Sequence, residues 1–245
     1  MTTRITPLRL EGFEQLPKHA RRCVFWEVDP STVDADHLTD PEFEKEAWLS
    51  MVMLEWGSCG QLAVAAVPDG TPDPVVSDSD PCLGYAFYAP PGAVPRARLF
   101  PSGPVSADAV LLTAVGAESG EDIGRMSQGL LAAVINDLVR RGVRALEAFG
   151  YTPALTELLD CGRLPADLTT VVQVLGDCGV DRCMLESDFL LDVGFTVVAP
   201  HPYFPRLRLE LDKGLGWKAE VEAALERLLD SVRIEEPIGA GAATL

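Results

Sequence analysis

The chain is poor in positive charge. Lys and Arg number 20 against 37 Asp and Glu, which leaves a net charge of −17 over 245 residues. A field of that sign repels a phosphate polyanion, so nucleic acid is not an expected partner, whereas a small-molecule amine or a basic protein surface is. Long apolar runs are also missing. No uninterrupted apolar stretch reaches the roughly 18 residues that a membrane span needs. The N-terminus, MTTRITPLRLEGF, lacks the apolar segment of a secretory signal. A cytoplasmic protein with no membrane partner is therefore expected. Zinc-type spacing is absent too. The six cysteines, at 23, 59, 82, 161, 178 and 183, include Cys178 and Cys183 with four residues between them but no second pair. Spacing rules thus give no metal site, and the thiols are expected to be reduced.

What remains is ordinary globular material, 47% hydrophobic and 23% charged. A chain of this length can bury roughly 70–75% of its unfolded surface in one core. RITPLRL (4–10) alternates as a first strand, and EGFEQLPKHARRC (11–23) reads as a short helix interrupted at Pro17. DPEFEKEAWLSMVMLEWG (40–57) is a second helix, with Asp40 as N-cap, Pro41 at its first position and Gly57 as its stop. Its apolar stripe is Trp48, Leu49, Val52, Met53 and Trp56. Strands follow at 61–67 and 82–90, joined by a Pro/Asp/Ser-rich loop at 68–81. Three prolines make 92–107 irregular, and DAVLLTAV (108–115) has the continuous apolar character of a strand buried on both faces.

The stretch ESGEDIGRMSQGLLAAVINDLVRRG (118–142) combines a Gly/Ser turn with an amphipathic helix, and VRALEAFG (143–150) is the next buried strand. Strand, helix, strand at this spacing is a crossover unit between parallel strands. The small-residue turn suits an anion, because a helix N-terminus offers unpaired N–H groups and the positive dipole end. Yet it carries Glu118, Glu121 and Asp122. A like charge at about 4 Å costs from roughly 1 kcal/mol in water to about 4 near a protein surface. An N-cap role for Asp122 or Ser127 on a plain core helix is the other reading. Residues 151–183 look inserted, and ESDFLLDVGF (186–195) is a helix closed by Gly194. TVVAPHPYFPRLRLEL (196–211) supplies a pair of strands or one bent strand, and 216–232 a last amphipathic helix ahead of a Gly/Ala-rich tail from 236. The expected organisation is one α+β domain over 1–235.

The order DAVLLTAV, SGEDIGRMSQG, LLAAVINDLVRRGV, RALEAFG, FLLDVGFTVV resembles the GNAT N-acetyltransferase superfamily. The phrases ARRCVFWEVDP, EKEAWLSMVMLEWGSCG, YAPPGAVPRA and HPYFPRLRLELDKGLGWK are similar to an actinobacterial subgroup of it. The resemblance implies a mixed, mostly antiparallel central sheet flanked by helices, with 151–183 inserted and a C-terminal helix at 213–233. It implies acetyl-CoA as co-substrate, its pantetheine arm along Leu112, Thr113, Ala114 and Val115. The pyrophosphate would sit on Ile123, Gly124, Arg125, Met126, Ser127 and Gln128. Glu147 is the candidate base and Tyr151 the candidate acid; Trp26, Glu27 and Tyr85 are candidate substrate walls, with Phe25, Tyr88 and Tyr203 beside them. Trp26 with Glu27 would suit an ammonium through charge and cation–π contact.

Departures from the family pattern bear on activity. The phosphate turn fits neither of two possible registers fully, one placing Asp122 at the Gln/Arg position and one placing it at the first glycine. Leu190 stands where the family often has a tyrosine acid. Glu147 has a second reading, as a strand-face carboxylate paired with Arg144 or another cation. His201, between prolines, reads as structural. Two functions follow: an acetyl-CoA-dependent N-acetyltransferase acting on an amine, or a silent GNAT-like binding module. A self-associating scaffold, dimeric through the 216–232 helix, is a third.

Overall fold

A computed structural model describes residues 3–29, 40–65, 82–117, 123–160 and 179–211. The loop at 68–81, the acidic turn at 118–122, the middle of the inserted segment, the 216–232 helix and the tail lie outside the described residues. The chain divides into units 1–211 and 212–245, and every described residue belongs to the first.

β1 (Thr3–Pro7) precedes a 3-10 turn at Leu10–Gln15 and helix α1 (Lys18–Arg22), which lie on either side of Pro17. α2 (Pro41–Glu55) starts where the sequence places it. Asp40 accepts a hydrogen bond from the Phe43 amide at 3.1 Å, and Pro41 sits where an N–H would have no helical partner. Gly57, with φ +100°, carries the chain out of the helix through a conformation that favours glycine. β2 (Gly60–Ala65), β3 (Cys82–Ala89), β4 (Ala109–Ala117), α3 (Ile123–Arg140) and β5 (Ala145–Tyr151) follow. The proline-rich 91–107 segment forms two short 3-10 turns, Pro91–Ala93 and Pro95–Leu99. Beyond β5 come α4 (Pro153–Asp160), α5 (Val180–Cys183), β6 (Leu185–Glu186), α6 (Ser187–Asp192), β7 (Thr196–Ala199) and β8 (Arg206–Glu210). Of the two readings of 196–211, the pair of strands is found.

The architecture is α+β, with one mixed, mostly antiparallel sheet of eight strands among the described residues. Its order is β1-β2-β3-β4-β5-β8-β7, with β6 beside β5. Only β4–β5 and β5–β6 pair in parallel, and α3 is the crossover that the first of these requires.

Strand alternation sorts the core into two faces. Ala86 and Tyr88 of β3 and Leu146 and Ala148 of β5 point to the face covered by α3 and α6. Phe87 and Ala89, with Ala145 and Phe149, point to the face covered by α1, α2 and the 91–105 segment. Leu130, Val134 and Leu138, spaced four apart on α3, are fully buried. Each such side chain contributes about 1.5–3 kcal/mol by leaving water. The sheet therefore presents its β4–β5 seam between two dry layers.

Candidate functional site

The seam between β4 and β5 is short. Ala109 pairs with Ala145, Val110 with Leu146 and Leu111 with Glu147, and the parallel pairing ends there. The cause lies on the opposite edge of β4. β3 pairs Tyr88 with Leu112 but Phe87 with Ala114, so Thr113 is an extra residue. Such a bulge bends its strand and shifts the alternation of side chains. Leu112 packs with α3, Ala114 goes instead to the α1–α2 face, and Val115 returns to the α3 side. The two central strands thereby part into a wedge.

The inserted segment re-enters the molecule at this wedge. Leu185 and Glu186 of β6 pair with Gly150 and Tyr151 of β5. Gly150 is needed there, since a Cβ would lie 3.0 Å from Cα of Ser187. A cavity of about 190 Å³ remains, lined by Ala114, Val115 and Gly116 of β4, by Arg182 to Leu185, and by His19 and Tyr85. Ligand pockets usually enclose about 300–1,000 Å³, so this one has room for only part of a drug-sized ligand. A Cβ on Gly116 would fall 2.5 Å from the Tyr85 ring, so this glycine lets Tyr85 lie across the strand.

The residues expected to meet acetyl-CoA fall into two groups. Leu112 and Thr113 are buried, while Ala114 and Val115 are partly exposed and line the cavity. At the start of α3, Ile123, Gly124, Arg125 and Gln128 are exposed, Met126 is half-buried and Ser127 is buried. A Cβ on Gly124 would meet nothing within 4 Å, so protein packing does not call for a glycine there. The choice between the two registers of the turn depends on Asp122, outside the described residues.

The two carboxylates singled out from sequence are both engaged internally. Glu147, wholly buried on β5, accepts from the Ser106 amide at 3.0 Å, from Arg206 Nη1 at 2.5 Å and from Arg208 Nη1 at 3.1 Å. Burial alone would push its pKa up, but these bonds from Ser106, Arg206 and Arg208 hold it below the ordinary value of 4.5. A group so held is a poor proton acceptor. The base role expected of Glu147 gives way to the strand-face pairing, and the cations are Arg206 and Arg208 of β8 rather than Arg144. Arg208 also takes Asp108 and Glu210, which completes an ion-pair network across β8.

Glu27 pairs with Lys45 and accepts from the Trp26 amide at 3.1 Å. Burial raises its pKa against the opposing pull of Lys45. Lys45 sits 4.4 Å above the Phe87 ring and 5.3 Å from Trp48. The ammonium expected from a substrate is thus supplied by the chain itself. Trp26 is stacked on Phe100 and Phe149 at 5.0 and 5.8 Å, a core position rather than a substrate wall. Tyr88 is likewise structural, fully buried and donating to Asp137 at 2.9 Å. Tyr151 is half-buried against the α1–α2 core, and Leu190 is fully buried with α3. Of the named aromatics, Tyr85 alone lines the larger cavity. His201 Nδ1 accepts from the amides of Tyr203 and Phe204, as a structural histidine would.

Sequence reading missed Lys45, although it stands one turn before Trp48 and Leu49 on the buried stripe of α2. It also missed the bulge at Thr113, which no residue type announces.

No model of a known protein family matches the chain, and no curated protein matches it. Solved structures with related folds include the PaiA N-acetyltransferase of Thermoplasma acidophilum in complex with coenzyme A. It is 11% identical, with 86% of this chain and 99% of that one covered and a TM-score of 0.45. The ribosomal-protein-S18-alanine N-acetyltransferase of Escherichia coli is 10% identical over 86% and 94% of the two chains, with a TM-score of 0.42. The GphF GNAT-like decarboxylase in complex with isobutyryl-CoA is 16% identical over 85% and 99%, with a TM-score of 0.43. At such identities and scores the likeness carries no argument about reaction, and these three do not share one reaction.

Proposed function

We propose that the protein binds acetyl-CoA in the wedge and transfers the acetyl group to an amine. The bulge at Thr113 carries this reading. It parts β4 from β5 and leaves Ala114 to Ala117 partly exposed along an edge, and α3 begins six residues further along the chain at Ile123. The pantetheine arm would follow that edge, and the pyrophosphate would take the first amides of α3 with help from Arg125. The amine nitrogen attacks the thioester carbonyl; the C–N bond forms, the C–S bond breaks, and the CoA thiolate takes up a proton. Tyr85, which lines the cavity, is the group we assign to deliver that proton. With Glu147 held by two arginines, water is left to carry the ammonium proton away. The net charge of −17 favours a cationic acceptor, whether small amine or basic protein.

A second reading is binding without turnover. Two observations favour it: Glu147 is locked in its ion pairs, and Arg182 to Leu185 already line the wedge. Thermal denaturation with acetyl-CoA, combined with thiol release in the presence of amines, separates the readings. Ligand at 100 times Kd should stabilise by about 2.7 kcal/mol. A shift with thiol release supports the transferase; a shift without release supports the binding module. No shift at millimolar acetyl-CoA would sink both. Arg125→Ala should weaken the shift, and an unchanged affinity would remove Arg125 from the site.

A further inference from the structure

Three soft donors, distant in sequence, meet beside the wedge. α1 carries His19, and Cys23 follows it at its C-terminal end, so the two stand four residues apart on one helical face. α5 ends at Cys183. The sulfurs of Cys23 and Cys183 are 3.5 Å apart, and a ring nitrogen of His19 lies within 4.8 Å of both. With zinc–sulfur bonds of about 2.3 Å, tetrahedral geometry sets two thiolates about 3.8 Å apart. The pair needs only a small spreading to reach that distance.

The space between them suits one ion. All three donors line a second cavity of about 20 Å³, close to the room that one water-sized sphere takes up. Thr113 lines the same cavity, and its buried hydroxyl has no hydrogen-bond partner among the described residues. That orphan is an independent sign of something unfilled, since buried hydroxyls are ordinarily satisfied. Nε2 of His19 lies 3.2 Å from the carbonyl oxygen of Arg182, the kind of outer-shell acceptor that fixes a ligating imidazole. Trp26 Nε1 donates to the Cys183 carbonyl at 3.0 Å and anchors the end of α5. The cavity wall also carries Glu27 paired with Lys45, neutral in sum, and the cation Arg182.

We propose that His19, Cys23 and Cys183 bind a single thiophilic divalent ion, zinc by preference, between α1 and α5. A water in the fourth position is hydrogen-bonded to Thr113. Two thiolates and an imidazole select for zinc over the hard cations. Binding releases the two thiol protons, and the two thiolates cancel the charge of the ion, which suits a site on the edge of the core. His19 and Cys183 also line the larger cavity, so the ion would fix the inserted segment as one wall of the wedge. The ion does not depend on acetyl-CoA, and its test does not use it.

The test is cobalt(II) titration of the full chain, stripped with a chelator and kept reduced by a phosphine. One equivalent should bind with sulfur-to-cobalt charge-transfer absorption and the intense visible bands of tetrahedral cobalt, and zinc should displace it. Cys23→Ser and Cys183→Ser should each weaken binding by more than the roughly 10–100-fold that loss of an outer-shell partner costs, while Cys82→Ser leaves it unchanged. Should the serine variants unfold, His19→Asn and the wild-type spectrum still decide. A wild-type spectrum without charge transfer would overturn the site. So would affinity unaffected by His19→Asn or by Cys23→Ser with Cys183→Ser. A Cys23–Cys183 disulfide in protein that takes up no cobalt after reduction would also overturn it, in favour of a redox bridge.

Discussion

Glu27 and Glu147 are both carboxylates in dry surroundings, on the same side of the sheet, and their environments drive them in opposite directions. Glu147 meets two guanidinium groups and a backbone amide, and its acidity is strengthened. Glu27 meets one ammonium and one amide deeper in the aromatic core, and burial wins. The number of donors that reach the buried oxygens decides the sign. Neither carboxylate is left free to serve a substrate.

That contrast can be broken by mutation. The largest effect is expected for Glu147→Ala, which leaves Arg206 and Arg208 facing a void. Removing one partner of a buried pair costs about 3–5 kcal/mol, to be read from the urea midpoint; a loss under about 1 kcal/mol would mean that the network is solvated. Lys45→Met strands Glu27 in the aromatic core and should also destabilise, but less, because Glu27 can take up a proton. Adding Glu27→Gln should recover most of the loss, and an additive double variant would show that the pair is not coupled.

A smaller effect sharpens the comparison on the wedge side. Gly116→Ala forces the Tyr85 ring off β4, at about 1–3 kcal/mol for overpacking. It should also reduce the acetyl-CoA thermal shift, and an intact shift would place the ligand elsewhere. The smallest effect is the pH response. Glu147 has a folded pKa below 4.5, so its contribution is present above 4.5 and is lost as pH falls through the folded value. Glu27 has a folded pKa above 4.5, so the native state gains stability as pH falls through that raised value toward 4.5. Urea midpoints against pH should show Glu27→Gln losing the gain near and above pH 4.5, and Glu147→Gln losing the acid-side decline. The same slope in both variants would refute the opposite signs.

Local chemistry made most of the elements legible. Asp40, Pro41 and Gly57 mark α2, Gly194 (φ +98°) closes the turn after α6, and the apolar run at 108–115 becomes β4. Of the candidate site, the sequence indicated a location and no more. Sequence put a ligand edge on Leu112 to Val115, and those residues do flank the parting of the strands. It could not see that Thr113 bulges, because a bulge is set by register against β3 rather than by residue type.

By itself the sequence determined most of the described secondary elements, their order and the net negative charge, since these follow from periodicity, capping and charge count; the mostly antiparallel sheet was implied by the family resemblance. Tertiary structure alone decided which carboxylate meets which cation and that Lys45 fills the place foreseen for a foreign amine. It alone brought His19, Cys23 and Cys183 to one cavity wall. Such contacts join residues far apart along the chain, and spacing carries no information about partners that only folding brings together.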